Sequence, residues 1–157
     1  MSENRPERLI EALRSRGLTV AVAESLTGGL VVADLVSIPG ASAVVRGGIV
    51  AYATELKATL LGVDAGVLAA GGPIQSVVAE QMAHGVRKRL GADVGLATTG
   101  VAGPDPQDGH PPGEVWIAVA TSAGVRSLRL ERGGDRATIR RETVDEVLEF
   151  ALGIVSE

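Results

Sequence analysis

The run AESLTGG, residues 23–29, constrains the fold of this chain more than any other stretch. It lies between two short apolar segments, residues 18–22 and 30–33, a pattern that predicts a buried strand, a tight turn and the first turn of a helix. Ser25 and Thr27 would then lie where backbone N–H groups lack helical partners and the helix dipole is positive. Such a turn can present a nucleophilic hydroxyl, cradle a phosphate or simply cap the helix.

The composition indicates one globular domain, residues 1–157, in the cytoplasm. Hydrophobic residues make up 45% of the chain, and no stretch has the length of a membrane span or the form of a secretion signal. Aromatic residues make up only 2% and the formal net charge is −4, which argues against nucleic acid as a partner. The absence of cysteine excludes disulfides, thiolate metal sites and a cysteine nucleophile.

Apolar periodicity alternates between helical and strand-like spacing along the chain. Helices are predicted over residues 6–16, 28–37, 55–61 and 75–90 and from about residue 135, and strands over 18–23, 47–52, 93–99, 115–121 and 125–130. Thr54 is expected to cap the third helix. The alternation predicts an α/β layered domain, and a hairpin between the last two strands makes the sheet mixed rather than purely parallel.

Polar residues follow three of the predicted strands. They occur in residues 25–29, 52–57 and 98–100. Because ligands of α/β sheets bind at the carboxyl ends of strands, we expect these three segments to converge on one edge of the sheet.

A serine nucleophile needs a general base, and lysine is the best candidate in this sequence. His84 falls within a predicted amphipathic helix and His110 within a proline-rich loop, where a surface role explains each. Lys57 and Lys88 are the only lysines, so thirteen of the 15 Lys and Arg residues are arginine, which does not deprotonate usefully. The pKa of Lys57 would have to fall from about 10.4 to roughly 7–8, partly through burial. A surface lysine paired with a carboxylate is the competing interpretation.

Tyr52, the only tyrosine, ends a predicted strand shortly before Lys57. It could relay a proton, orient a substrate or simply be a buried aromatic residue. Asp105 and Asp108 could bind a cation, although turn formation explains them more simply. No spacing of His, Asp or Glu predicts a metal site, and the common nucleotide and zinc-protease motifs are absent, so neither a metal nor a cofactor is expected.

Six segments occur in order along essentially the whole chain: residues 23–29 (AESLTGG), 39–42 (PGAS), 46–52 (RGGIVAY), 61–63 (LGV), 99–105 (TGVAGPD) and 112–115 (PGEV). Together with Lys57 they resemble the C-terminal domain of the CinA (competence/damage-inducible protein) family. The resemblance implies a three-layer α/β/α domain. It also implies the stand-alone form of that domain, and stand-alone members include nicotinamide mononucleotide amidases.

The activity implied by the resemblance is hydrolysis of the carboxamide of nicotinamide mononucleotide to nicotinic acid mononucleotide and ammonia, in pyridine nucleotide recycling. Ser25 would be the nucleophile, Lys57 its base and Tyr52 a supporting group. We expect backbone amides near Thr27 and Gly28 to stabilise the oxyanion. The expected substrate contacts are Thr27, Gly28, Gly29, Thr99 and Gly100, with Arg140 or Arg141 on the 5′-phosphate. Solvation explains that arginine pair equally well.

Three positions depart from the family pattern. Leu26 replaces a cysteine, Ala53–Thr54 replaces a Ser–Asn pair, and residues 72–75 (GPIQ) lack a hydroxyl near the start of a helix. Two alternatives therefore stay open: a non-catalytic nucleotide-binding or regulatory module, and an amidase for a different carboxamide. The expected partner is a small-molecule nucleotide, with neither membrane nor nucleic acid, and a homodimer stays open.

Overall fold

The computed structural model describes residues 4–157, which form one five-stranded sheet between two helical layers. The strands are β1 (Val20–Glu24), β2 (Val45–Val50), β3 (Val94–Gly100), β4 (Glu114–Thr121) and β5 (Gly124–Glu131). The helices are α1 (Arg5–Ser15), α2 (Leu30–Val36), α3 (Thr54–Leu61), α4 (Ala65–Gly71), α5 (Ser76–Arg89) and α6 (Arg136–Val155), and a 3₁₀ turn spans Ala41–Ala43.

The strand order β2-β1-β3-β4-β5 brings the carboxyl ends of three parallel strands together. β1 pairs in parallel with both β2 and β3, so that Glu24 lies beside Val50 and Thr98. β3, β4 and β5 then continue the sheet in antiparallel order, with β4 and β5 joined as a hairpin. The residues that follow Glu24, Val50 and Thr98 therefore meet at one edge of the sheet.

Each face of the sheet buries its own apolar cluster. The helices α1, α2 and α6 cover one face, where Val22, Leu96 and Ile117 are buried. The helices α3, α4 and α5 cover the other face, where the strands present small side chains such as Ala97 and Ala118. Small residues let α5 come close: a Cβ on Gly95 would lie 2.2 Å from the carbonyl oxygen of Ala83 on α5.

The backbone of α5 also touches the end of α3. A Cβ on Gly85 would lie 1.8 Å from the carbonyl oxygen of Leu61, so only glycine fits at this crossing. Because α3 carries Lys57, this contact helps to fix the position of that lysine against the sheet.

The structure confirms the α/β class, the mixed sheet and the final hairpin, and it differs from the predicted elements in four main places. The second strand spans Val45–Val50 rather than residues 47–52, so it ends before Tyr52. The second helix begins at Leu30 rather than at residue 28, because Gly28 and Gly29 adopt φ values of 57° and 106°. Ala53, not Thr54, precedes the third helix. The helix α4 was not predicted because its sequence, AGVLAAG, has no apolar periodicity, although Asp64 caps it.

Candidate active site

Ser25 is the first residue after β1 and is 7% exposed. Its N–H donates to the carbonyl oxygen of Thr98, 3.1 Å away, which continues the pairing of β1 with β3 for one more residue. The Nζ atom of Lys57 lies 3.0 Å from its Oγ atom. The two side chains come from different elements, the β1–α2 turn and α3, and they meet at the carboxyl edge of the sheet.

Lys57 is among the largest fully buried side chains of the described residues, with 1% exposure. Besides the contact with Ser25, its Nζ donates to the carbonyl oxygens of Ala51 at 2.8 Å and Tyr52 at 3.3 Å. Burial lowers the pKa of Lys57 from 10.5 to about 8, and the nearby charge of Glu55 opposes part of that effect. A neutral amine would keep two N–H bonds on the carbonyls and direct its lone pair at the Ser25 hydroxyl.

Glu24 occupies the N-terminus of α2 from within the protein. Its buried carboxylate accepts hydrogen bonds from the N–H groups of Val31 at 2.9 Å and Val32 at 3.1 Å. The N–H of Gly28 donates to the carbonyl oxygen of Ser25 at 3.0 Å. Internal acceptors thus occupy the Gly28 amide and the amides at the start of α2, whereas the Thr27 amide, among the expected oxyanion donors, has no acceptor within residues 4–157.

Three amides in the turn keep their hydrogen-bonding capacity. Within residues 4–157, the N–H groups of Leu26, Thr27 and Gly29 have no hydrogen-bond acceptor. Leu26 and Thr27 directly follow Ser25 in the chain, so their amides are the nearest unpaired donors in sequence to its Oγ atom.

A cleft of about 360 Å³ opens over this pair. Its lining includes Ser25, Lys57, Tyr52, Thr99, Gly100 and Arg136. The Thr99 hydroxyl donates to the carbonyl oxygen of Pro73 at 2.8 Å and so joins the end of β3 to the turn before α5. At Gly100, a Cβ would lie 2.7 Å from the backbone of β4, so only glycine fits there. The predicted convergence of three segments on one sheet edge is thus found.

Arg136 lines the cleft, although no pattern in the sequence indicates it. It is the first residue of α6, and its guanidinium donates to the carbonyl oxygen of Gly103 at 2.6 Å and to the Tyr52 hydroxyl at 3.1 Å. Tyr52 is 60% exposed, which rules out the interpretation as a buried aromatic residue. Its hydroxyl accepts the hydrogen bond from Arg136 at the mouth of the cleft. The Asp135 cap marks the helix start in the sequence, but where that start docks depends on tertiary packing.

Several predicted substrate contacts lie outside the cleft lining. The Thr27 hydroxyl is buried and lies 2.8 Å from the Thr98 hydroxyl. Arg140 donates to the carbonyl oxygens of Leu26 and Thr27 from behind the turn. Arg141 forms an ion pair with Asp34 of α2. Gly28 and Gly29 shape the turn without lining the cleft. The expected phosphate contacts at Arg140 and Arg141 therefore stay predictions: neither residue lines the cleft, and both guanidinium groups have contacts elsewhere.

The arrangement has the components of nucleophilic acyl chemistry. A buried hydroxyl contacts an amine whose pKa is close to neutrality, and unpaired amides stand beside it. Neither histidine lines the cleft. In the part of the chain that the structure describes, no three His, Asp or Glu side chains converge as a metal site would require, and no helix has the length and apolarity to cross a membrane.

Comparison with known proteins identifies relatives over nearly the whole chain. Residues 2–155 match the family described as the CinA C-terminal domain. A CinA-like protein of Frankia casuarinae is 55% identical over 140 residues, which cover 88% of this chain and 32% of that protein. A putative competence-damage inducible protein of Desulforamulus reducens is 47% identical over 141 residues, or 90% of this chain and 34% of that protein. The chain thus spans about a third of the length of these relatives.

Solved structures share the fold. A CinA superfamily protein of Klebsiella pneumoniae superimposes with a TM-score of 0.94 at 28% identity, covering 99% of both chains. The competence/damage inducible protein CihA of Agrobacterium tumefaciens gives a TM-score of 0.92 at 35% identity, covering 100% of this chain and 98% of that one. These matches extend over the sheet and both helical layers.

Proposed function

This chain belongs to the CinA C-terminal domain family, and from that premise we propose that it hydrolyses the carboxamide of nicotinamide mononucleotide to nicotinic acid mononucleotide and ammonia. The observation that carries the proposal is the 3.0 Å contact between Ser25 Oγ and the buried Nζ of Lys57. A lysine whose pKa is about 8 is neutral in about a tenth of the molecules at pH 7, enough to act as a general base.

The reaction begins when neutral Lys57 takes the proton of Ser25 as Oγ attacks the carboxamide carbon. The carbonyl π bond opens to an oxyanion, which the N–H groups of Leu26 and Thr27 stabilise. The C–N bond then breaks, Lys57 returns the proton to the departing nitrogen, and ammonia leaves an acyl-Ser25 ester. A water molecule, deprotonated by Lys57, attacks that ester and releases the carboxylate product and free Ser25.

Arg136 is the proposed partner of the 5′-phosphate. Its guanidinium lines the cleft and contacts only neutral oxygens, those of Gly103 and Tyr52, so its charge is available to an anion. Tyr52 then acts by holding Arg136 at the cleft mouth rather than by taking a proton from Ser25.

The first experiment measures ammonia and nicotinic acid mononucleotide from the nucleotide with wild type, Ser25→Ala and Lys57→Ala. We expect both variants to lose about a thousandfold or more in kcat/KM. Ser42→Ala and Lys88→Ala are matched controls, because both replace exposed residues outside the cleft, and they should keep wild-type rates.

The outcomes separate the alternatives. Activity that survives Ser25→Ala refutes the nucleophile assignment. Nucleotide binding without ammonia release from any form favours a non-catalytic binding module. Faster release from nicotinamide or another simple amide than from the nucleotide favours an amidase for a different carboxamide.

A further inference from the structure

Asp105 lies in the cleft lining between two prolines. It belongs to the loop of residues 101–113 that follows β3, and Pro104 and Pro106 restrict the backbone on either side of it. Within residues 4–157 it is the only acidic side chain that lines this cleft. The cleft thus contains one carboxylate, on an exposed side chain, besides the basic residues Lys57 and Arg136.

No contact inside the described chain accounts for the Asp105 carboxylate. Between residues 4 and 157 it accepts no hydrogen bond and forms no ion pair. The other aspartates in that range each accept a hydrogen bond or pair with an arginine: Asp34, Asp64, Asp93, Asp108, Asp135 and Asp145. Asp105 is exposed, so water can solvate its carboxylate; no contact within the described chain holds it, and it is free to contact a ligand in the cleft.

The charges of the cleft match a ligand that carries both signs. Arg136 contacts only neutral groups, and it forms no ion pair with Asp105 even though both line the same cleft. A molecule with an anionic group for Arg136 and a cationic group for Asp105 would satisfy both. A nucleotide whose base is an N-substituted pyridinium has that character, because its phosphate is negative and its ring is positive.

We propose that Asp105 is a specificity-determining residue that selects a ligand with a cationic, N-substituted pyridinium ring over one with a neutral ring. This inference rests on the proposed function, since it concerns the same cleft and the same class of carboxamide. The carboxylate offers a counter-charge to the ring while Lys57 and Ser25 act on the amide attached to it.

The test compares two ligands that differ in ring charge. Nicotinamide mononucleotide has a cationic ring, and its 1,4-dihydro form has a neutral ring with the same carboxamide, ribose and phosphate. Kd for both is measured by calorimetry at pH 8 in Ser25→Ala protein, which leaves the nucleotide intact, alone and combined with Asp105→Asn or Asp108→Asn, and kcat/KM for ammonia release is measured in parallel with Ser25 present. Asp108→Asn is the matched control, because it removes a charge from the same loop at a residue that does not line the cleft.

We expect Asp105→Asn to weaken binding of the cationic nucleotide about two- to fivefold and to leave binding of the dihydro form nearly unchanged. The ratio of the Kd of the dihydro form to the Kd of the cationic form should fall by the same factor with Asp105→Asn. The same ratio should not change with Asp108→Asn.

Three results would overturn the inference. Equal losses for both ligands would mean that Asp105 binds a shared group such as a ribose hydroxyl. An equal change of the Kd ratio with Asp108→Asn would mean that the effect comes from the net charge of the loop and not from Asp105 itself. If protein with Asp105 intact binds the two ligands equally, or binds neither, the ring charge does not determine binding. If nucleotide binds with the expected selectivity and no ammonia appears, the proposed function fails while the role of Asp105 stands.

Discussion

Replacing Lys57 by methionine tests whether its amine is held in the folded protein at a cost to stability. The side chain keeps a similar length and loses its charge, so the burial that lowers the pKa of Lys57 no longer penalises folding. The lost hydrogen bonds to Ser25, Ala51 and Tyr52 act in the opposite direction at every pH. The dependence on pH therefore isolates the charge from the packing.

The magnitude follows from the difference between the folded and unfolded pKa values. The folded pKa of about 8 lies below the unfolded value of 10.5, so the unfolded chain binds more protons between these limits and stability rises with pH through that window. The whole window corresponds to about 3 kcal/mol, at roughly 1.4 kcal/mol for each pKa unit. Between pH 7 and pH 9.5 the wild type should gain about 2 kcal/mol from this group.

Urea denaturation at pH 7 and pH 9.5 measures the effect in wild type, Lys57→Met and Lys88→Met. Other groups titrate in all three proteins, so their contributions cancel in the comparison. The unfolding free energy of wild type and Lys88→Met should rise relative to that of Lys57→Met by about 2 kcal/mol across this interval. A difference between wild type and Lys57→Met that does not change with pH would refute the reasoning.

Four further predictions concern catalysis and packing. The value of kcat/KM should rise about tenfold per pH unit below pH 8 and level off above it, because only neutral Lys57 acts as base, and a profile that is flat from pH 6 to 9 would exclude that role. Gly85→Ala should lower the unfolding free energy by about 1–3 kcal/mol or more in urea denaturation, because its Cβ would meet the carbonyl oxygen of Leu61. Gly153→Ala, in the exposed part of α6 with open space around it, should instead stabilise the fold by about 0.5–1 kcal/mol, and destabilisation would contradict the helix-propensity argument. Asp64→Ala should cost about 1 kcal/mol, since its carboxylate caps α4, and an unchanged thermal midpoint would show that the cap is dispensable.

The position of the Ser25–Lys57 pair could be predicted because it follows from sheet geometry. Parallel strands end at a common edge, so residues after the first, second and third strands had to meet there once the strand–turn–helix pattern was assigned. The length of each turn was harder to predict. Two glycines with positive φ delay the start of α2 until Leu30, and this removes the helix-start amides from the site.

The contribution of α6 could not be read from the sequence. The helix α6 carries three arginines on neighbouring turns, Arg136, Arg140 and Arg141. Each of these side chains contacts a different part of the protein. Only the docking of α6 against the other elements decides that Arg136 reaches the cleft mouth and Arg140 the rear of the Ser25 turn. Long-range packing of this kind leaves no local pattern in the sequence.

The burial of Lys57 leaves this protein with a single lysine open to solvent, Lys88. Lys88 lies near the carboxyl end of α5, where Arg87 donates to the carbonyl oxygen of Asp93 just before β3. The opposite end of that helix begins shortly after Ile74, which lines the cleft. Of the two lysines, amine-reactive reagents at neutral pH should therefore modify Lys88 and spare Lys57. Coupling through Lys88 would fix the protein to a surface or a dye with its cleft facing away.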